Sequence, residues 1–188
     1  TNPAIDPFRE SVVTSSRCFV GPENDITSVT EKHAHRLDLP FPLLSVEEMD
    51  CIKRMSFGGW KTKVSTLRLA IMLIRNLVID ATFPADGGEN ALKDAVDRVA
   101  SESLAAVDDG YQLIVFSDRG ISAERVPISP MLIVGRAHQV LVHARKRTKI
   151  GNLRCVRSLN LTGVFQGLMF ESGETREVHQ FCTLLGYG

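Results

Sequence analysis

Tyr111-Gln112-Leu113-Ile114-Val115-Phe116 is a short, almost unbroken apolar run. A run of that length without alternation predicts a strand buried on both faces, as in the middle of a parallel sheet. What lies on either side supports this. Between Glu89 and Asp109 the residues Leu92, Ala95, Val96, Val99, Leu104 and Val107 recur at three- and four-residue steps, which predicts an amphipathic helix. Gly110 is placed to end it in the left-handed conformation that glycine tolerates. Downstream, Ser129-Pro130 reads as an N-cap with proline at the first helical position, opening a helix that runs to His143 or Lys146.

Further out the alternation continues. Ile79 to Phe83 predicts a strand before the first helix, and Leu168-Met169-Phe170-Glu171 predicts one after the second. A last helix is expected from Glu174 to Leu185, ended by Gly186. Strand and helix in alternation give an α/β fold: a parallel sheet flanked by helices, flavodoxin- or Rossmann-like, with right-handed crossovers. The expected core includes Val96, Val99, Leu113, Val115, Leu132, Val140, Phe181 and Leu184.

The first third of the chain is less regular. Asp6-Pro7 predicts a short helix start, Gly21-Pro22 a turn, and Pro40 and Pro42 a stiff connector. Ser45-Val46-Glu47-Glu48 has the spacing of a capping box, so a helix should run from there to about Met55 and stop at Gly58-Gly59. Residues 1–60 are accordingly read as a connector with that helix, and 61–188 as the α/β core.

Composition bounds the function. The chain has 188 residues, of which 44% are hydrophobic and 23% charged, which suits one folded domain rather than a disordered one. Lys plus Arg and Asp plus Glu number 22 each, so there is no basic excess for nucleic acid or a membrane surface. The apolar run around 66–78 carries Arg68 and Arg75 and is too short to span a bilayer, which takes about 20 apolar residues. A soluble intracellular chain is expected. Thr1-Asn2-Pro3 at one end and Gly186-Tyr187-Gly188 at the other are expected to be cuts in a longer chain. Cys18, Cys51, Cys155 and Cys182 are scattered, with no metal-ligand spacing, and are expected to be reduced and mostly buried.

Four groups of residues qualify as candidate chemistry. Ser117-Asp118-Arg119-Gly120 follows the central strand, where open parallel sheets gather ligands. Asp118 and Arg119 would hold a ligand or a neighbouring domain there, or form a turn with an internal ion pair. His33 and His35 would chelate a metal only from a strand and with further ligands; a polar surface segment is the plainer reading. His138, His143 and His179 lie on helices and read as structural. Glu171-Ser172-Gly173-Glu174 leads toward a helix start that would bind an anion, or simply carry acids suited to the helix dipole. There is no G-x-G-x-x-G, P-loop, G-x-S-x-G or H-E-x-x-H. The fold is of a nucleotide-binding kind without the loop that binds nucleotides.

Several motifs taken together carry a resemblance. Asn2-Pro3-Ala4-Ile5-Asp6-Pro7-Phe8-Arg9-Glu10, Gly21-Pro22-Glu23, His35-Arg36-Leu37, Gly59-Trp60-Lys61 and Ile79-Asp80-Ala81-Thr82-Phe83-Pro84 occur in that order. Ser117-Asp118-Arg119-Gly120, Ala123-Glu124-Arg125-Val126-Pro127-Ile128, Arg147-Thr148-Lys149 and Glu171-Ser172-Gly173-Glu174-Thr175-Arg176-Glu177-Val178-His179 follow. The series resembles the central domain of glutamate synthase, most nearly the NADH-dependent eukaryotic type. The resemblance implies a parent enzyme that turns L-glutamine and 2-oxoglutarate into two L-glutamates. An amidotransferase domain would release ammonia and an FMN-binding domain with an iron–sulfur cluster would use it, with FAD and NADH in the NADH-dependent type. The central domain would join the two and wall the ammonia tunnel, with Thr1 and Asn2 at the wall, while binding no cofactor and having no catalytic residue of its own. None of the four cysteines matches the amidotransferase nucleophile.

Two segments depart from the family pattern. The family runs from Lys63-Val64 almost directly into Ile79-Asp80, and from Ile150-Gly151 almost directly into Leu168. Residues 65–78 and 152–167 are therefore extra, interrupting strand or strand entry. They are expected to be loops or docked helices at the sheet edge, and their deletion to raise stability. Two alternatives to the family reading stand beside it: a free-standing flavodoxin-like binding or regulatory module, and a small enzyme using Asp118 and His179, which needs those side chains to converge.

Overall fold

The computed structural model describes residues 15–21, 27, 31, 36–54, 62–63, 78–111, 113–147 and 168–187. The expected helix from Asp6, the pair His33 and His35, Cys155, and most of the two extra segments lie outside them.

The central run becomes β6 (Leu113–Ser117), and all five of its residues are buried. It pairs in parallel on one side with β3 (Thr62–Lys63) and β4 (Val78–Asp80), and on the other with β8 (Leu168–Glu171). The sheet is thus parallel with β6 at its centre. Its side chains alternate between two apolar layers, as a strand's period of two requires. Ile79, Ile114 and Phe116 join one cluster, which is completed by α2 (Ala91–Asp108) and α3 (Pro130–His143). Val78, Leu113, Val115 and Met169 join the other. There the partners are α1 (Val46–Arg54) and an antiparallel ribbon of β1 (Cys18–Val20) and β2 (Leu37–Leu39).

The helices form for the reasons the sequence displays. Ser45 and Glu48 make both capping-box bonds: the Glu48 amide donates to Ser45 Oγ at 3.2 Å, and the Ser45 amide to Glu48 Oε2 at 2.8 Å. Gly110 takes φ +79° and lets the Tyr111 amide donate back to the Ala106 carbonyl at 3.0 Å, which closes α2. Pro130 opens α3, although Ser129 makes no side-chain cap bond. Among the described residues, no helix is long and apolar enough to cross a membrane.

Several expectations are corrected. Ile79 to Phe83 is not one strand. The chain leaves the parallel sheet at Ala81 and continues as β5 (Thr82–Pro84), antiparallel to β7 (Arg125–Pro127). Ala81 makes the switch by donating to Ser117 and accepting from Ile128, both at 2.8 Å. The last helix, α4 (Val178–Gly186), starts four residues later than expected, with Glu177 and Gln180 forming a capping box. In the predicted core, Val99, Leu113 and Val115 are buried, while Val96, Val140, Phe181 and Leu184 are half-buried. Leu132 is exposed, because α3 faces the core through Ile133, Ala137 and Leu141, one residue out of phase. Val78 was counted as the end of the first extra segment but is a buried residue of β4. Of the described cysteines, Cys18 is buried, whereas Cys51 and Cys182 are exposed, against the expectation of mostly buried thiols.

Candidate functional site

The carboxyl ends of β4, β6 and β8 stop at one level, where Asp80, Ser117 and Glu171 stand side by side across the sheet. This is the edge where ligands of open parallel sheets collect. Here the polar groups at that edge engage one another.

Glu171 is the hub. Lys53 of α1 donates to its Oε2 at 2.5 Å, Ser117 Oγ donates to the same oxygen at 2.8 Å, and Arg119 Nε donates to Oε1. Burial opposes ionisation of this carboxyl. The hydrogen bonds from Lys53, Ser117 and Arg119 outweigh burial and hold it below the usual glutamate range. Asp118 is buried and turns the other way: it accepts from Ser172 Oγ at 2.6 Å and from the Gly173 amide at 3.0 Å. Asp118 and Arg119 are therefore not an internal ion pair. Each grips the end of β8, by a different residue.

A second group closes the end of β4. Arg125 of β7 donates to Asp80 Oδ2 at 2.5 Å and to Thr82 Oγ1 at 2.8 Å. Arg98 of α2 donates to the carbonyls of Asp80 and Thr82 at 3.0 and 3.1 Å. A Cβ at Gly120 would stand 3.2 Å from Asp80 Oδ1, so the loop after β6 runs close against this group. Lys53 and Arg98 carry no local signal as site residues, and Asp80, Thr82 and Arg125 stand in the quoted motifs without a role read for them. Among these, Asp80 alone is the polar residue that ends an apolar run.

The other candidates are accounted for more simply. His138 is half-buried, and its Nδ1 accepts from Arg147 Nε at 3.1 Å. Burial and the Arg147 charge lower its pKa. His143 and His179 are exposed. Asp118 is committed to the end of β8, and neither Asp118 nor His179 lines the cleft described next. Glu171 to Glu174 is the end of β8 and a loop, not a helix start, so neither an anion site nor the expected helix cap is formed there. Among the described residues no group of three or more His, Cys, Asp or Glu is placed to hold a metal. Thr1 and Asn2 lie outside the described residues.

A cavity beside the sheet is mostly apolar, with Arg147 and Glu171 also in its wall. A cleft of about 320 Å³ opens between the β1–β2 ribbon, the start of α1, β8 and α4. Val20, Leu44, Met49, Met169, Phe181 and Leu184 are among the residues that line it. Its rim includes Leu43 and Val46, which are 48% and 56% exposed, and Phe41 beside them is 58% exposed. No residue of α4 is buried, although Phe181, Leu184 and Leu185 make it an apolar helix.

Residues 1–188 match the family described as the glutamate synthase central domain. The chain is 35% identical over 190 residues to the NADH-dependent glutamate synthase of Schizosaccharomyces pombe. It is 30% identical over 190 residues to that of Saccharomyces cerevisiae, and 31% over 188 residues to the large chain of the NADPH-dependent enzyme of Bacillus subtilis. Each match covers 100% of this chain but only 8–10% of the relative, which lends the free-standing module no support. With one family matched from end to end and relatives of one kind across yeasts and bacteria, the chain belongs to the glutamate synthase central domain family.

Proposed function

We propose that this domain is a scaffold within a glutamate synthase, joining the glutamine amidotransferase part to the FMN-binding synthase part. It supplies no catalytic group and no cofactor ligand. The parent makes two L-glutamates from L-glutamine and 2-oxoglutarate, with FMN, an iron–sulfur cluster and, in an NADH-dependent form, FAD carried by its other parts. Thr1 and Asn2 belong to the wall of the path that ammonia takes between the two active sites, an assignment that rests on the family resemblance alone.

One observation carries the scaffold reading. The charged groups at the strand ends are turned on each other, through Glu171 with Lys53 and Asp80 with Arg125, while the cleft is mostly apolar, with Arg147 and Glu171 in its wall, and has an exposed apolar rim. Such a surface suits burial against more polypeptide rather than a charged metabolite. The relatives carry this segment within chains of which it is 8–10%, so polypeptide to cover it is at hand.

The test uses the full-length parent. Leu43→Glu with Val46→Glu places charge on the rim without touching the buried layers. Glutamine-dependent glutamate formation should fall at least about tenfold if an interface worth 1.4 kcal/mol or more is lost. Ammonia-dependent synthesis and glutamine hydrolysis, each measured alone, should persist. Unchanged glutamine-dependent turnover overturns the docking role, and loss of all three activities together would indicate a role in catalysis or folding instead. Thr1→Val with Asn2→Leu should release free ammonia during turnover; tight coupling in that variant removes those two residues from the tunnel wall.

A further inference from the structure

We infer that β3 and β4 are two halves of one sheet strand, and that residues 64–77 are an insertion over which this strand closes. β6 serves as the ruler. Thr62 lies opposite Leu113 and Lys63 opposite Ile114. Val78 lies opposite Val115, Ile79 opposite Phe116 and Asp80 opposite Ser117. The partners run from 113 to 117 without a gap or a repeat, while the chain jumps from 63 to 78. Both halves run parallel to β6 on the same side, since the other side of Ile114 to Ser117 is taken by β8.

That continuity is demanding. Side chains alternate with a period of two, so a return displaced by one rung would turn every following residue to the wrong face. A return displaced the other way would leave an unpaired residue, as in a bulge. Neither occurs. Val78 falls in the layer with Val115, and Ile79 in the layer with Phe116, so the phase is right as well as the position. The sheet treats Thr62-Lys63-Val78-Ile79-Asp80 as a single strand as long as β6. The fold therefore accepts or omits residues 64–77 without change to its ladder or its two apolar layers. That makes the Lys63–Val78 junction a built-in attachment point for added polypeptide.

The register sets the experiment, done on the 188-residue chain. Three variants are compared: one lacking 64–77, one lacking 64–76 and so one residue too long, and one with 64–77 replaced by fourteen Gly and Ser residues. The first should melt at or above the temperature of the parent chain, with the amides of Ile79 and Val115 as slow to exchange as before. The second should melt at least about 3 °C lower, since a slipped strand loses about 1 kcal/mol or more in a chain of this size. The Gly/Ser variant should keep the same exchange protection, and it decides the matter if the direct joint fails to fold. Loss of protection at Ile79 and Val115 in the Gly/Ser variant, or equal melting of the first two variants, overturns the inference.

Discussion

Glu171 draws together Lys53 of α1, Ser117 of β6 and Arg119 of the loop that follows. Its side chain is only 13% exposed, as is Lys53 at 15%, so their attraction is weakly screened by water. Arg119, at 52% exposed, adds less. Glu171→Gln keeps the shape and removes the charge, leaving the Lys53 ammonium without its close anion. A loss of about 1–3 kcal/mol at pH 7 is expected by urea denaturation. The pH dependence has a definite sign. The folded carboxyl ionises below its ordinary value, so its stabilisation is complete above about pH 4.5 and is lost as pH falls through the folded value. The gap between the parent chain and the Gln variant should therefore be flat from pH 7 to 5 and narrow below that. A gap that widens on acidification would mean that the pair does not stabilise the fold.

At the scale of elements, β6 is where packing is most exacting. Val115 is fully buried between rungs of two neighbours and belongs to the layer formed with α1 and the β1–β2 ribbon. Val115→Ala should cost about 1–4 kcal/mol, from lost transfer energy and the cavity left behind. Leu132→Ala on exposed α3 surface should cost far less, and similar losses at the two positions would contradict the assigned faces. The contrast also explains what could be read in advance. β6, α1, α2 and α3 carry their own signals: an unbroken apolar run, a capping box, a 3.6-residue period, a Ser-Pro start. β1 and β2 are three residues each, too short for a period of two to declare itself. The start of α4 does carry a local signal, the Glu177 and Gln180 capping box, which an expected start at Glu174 overlooks; Asp118, 54 residues away in sequence, holds Ser172 in the loop before it. The site lacks even that. Asp118, Arg119 and Glu171 were visible as residues, but their partners come from across the sheet, and no local pattern encodes those pairings.

For the whole molecule, the arrangement of strand ends bears on cofactor binding. A doubly wound sheet holds the phosphates of a flavin or nicotinamide nucleotide where a glycine-rich turn carries a strand straight into a helix, whose free amides receive the charge. None of the three principal strands here does so. β4 passes into β5 and β6 passes through Asp118 and Arg119 toward β7, so each enters an antiparallel ribbon first. β8 ends at Glu171 and reaches α4 only through a loop held by Asp118. At the start of α4 the Gln180 amide is met by the chain's own Glu177 carboxylate, a position a phosphate would need. The start of α3 is a proline, which has no amide to offer. A phosphate approaching this edge would find Lys53, Arg119 and Arg125 already engaged by Glu171 and Asp80, in place of a cradle of free amides. The isolated chain should bind neither FMN nor NADH: titration should leave flavin fluorescence unquenched and calorimetry should register no binding heat at micromolar ligand. Micromolar affinity for either would require these acids to give up their present partners, and would show that the closed strand ends are not the domain's resting arrangement.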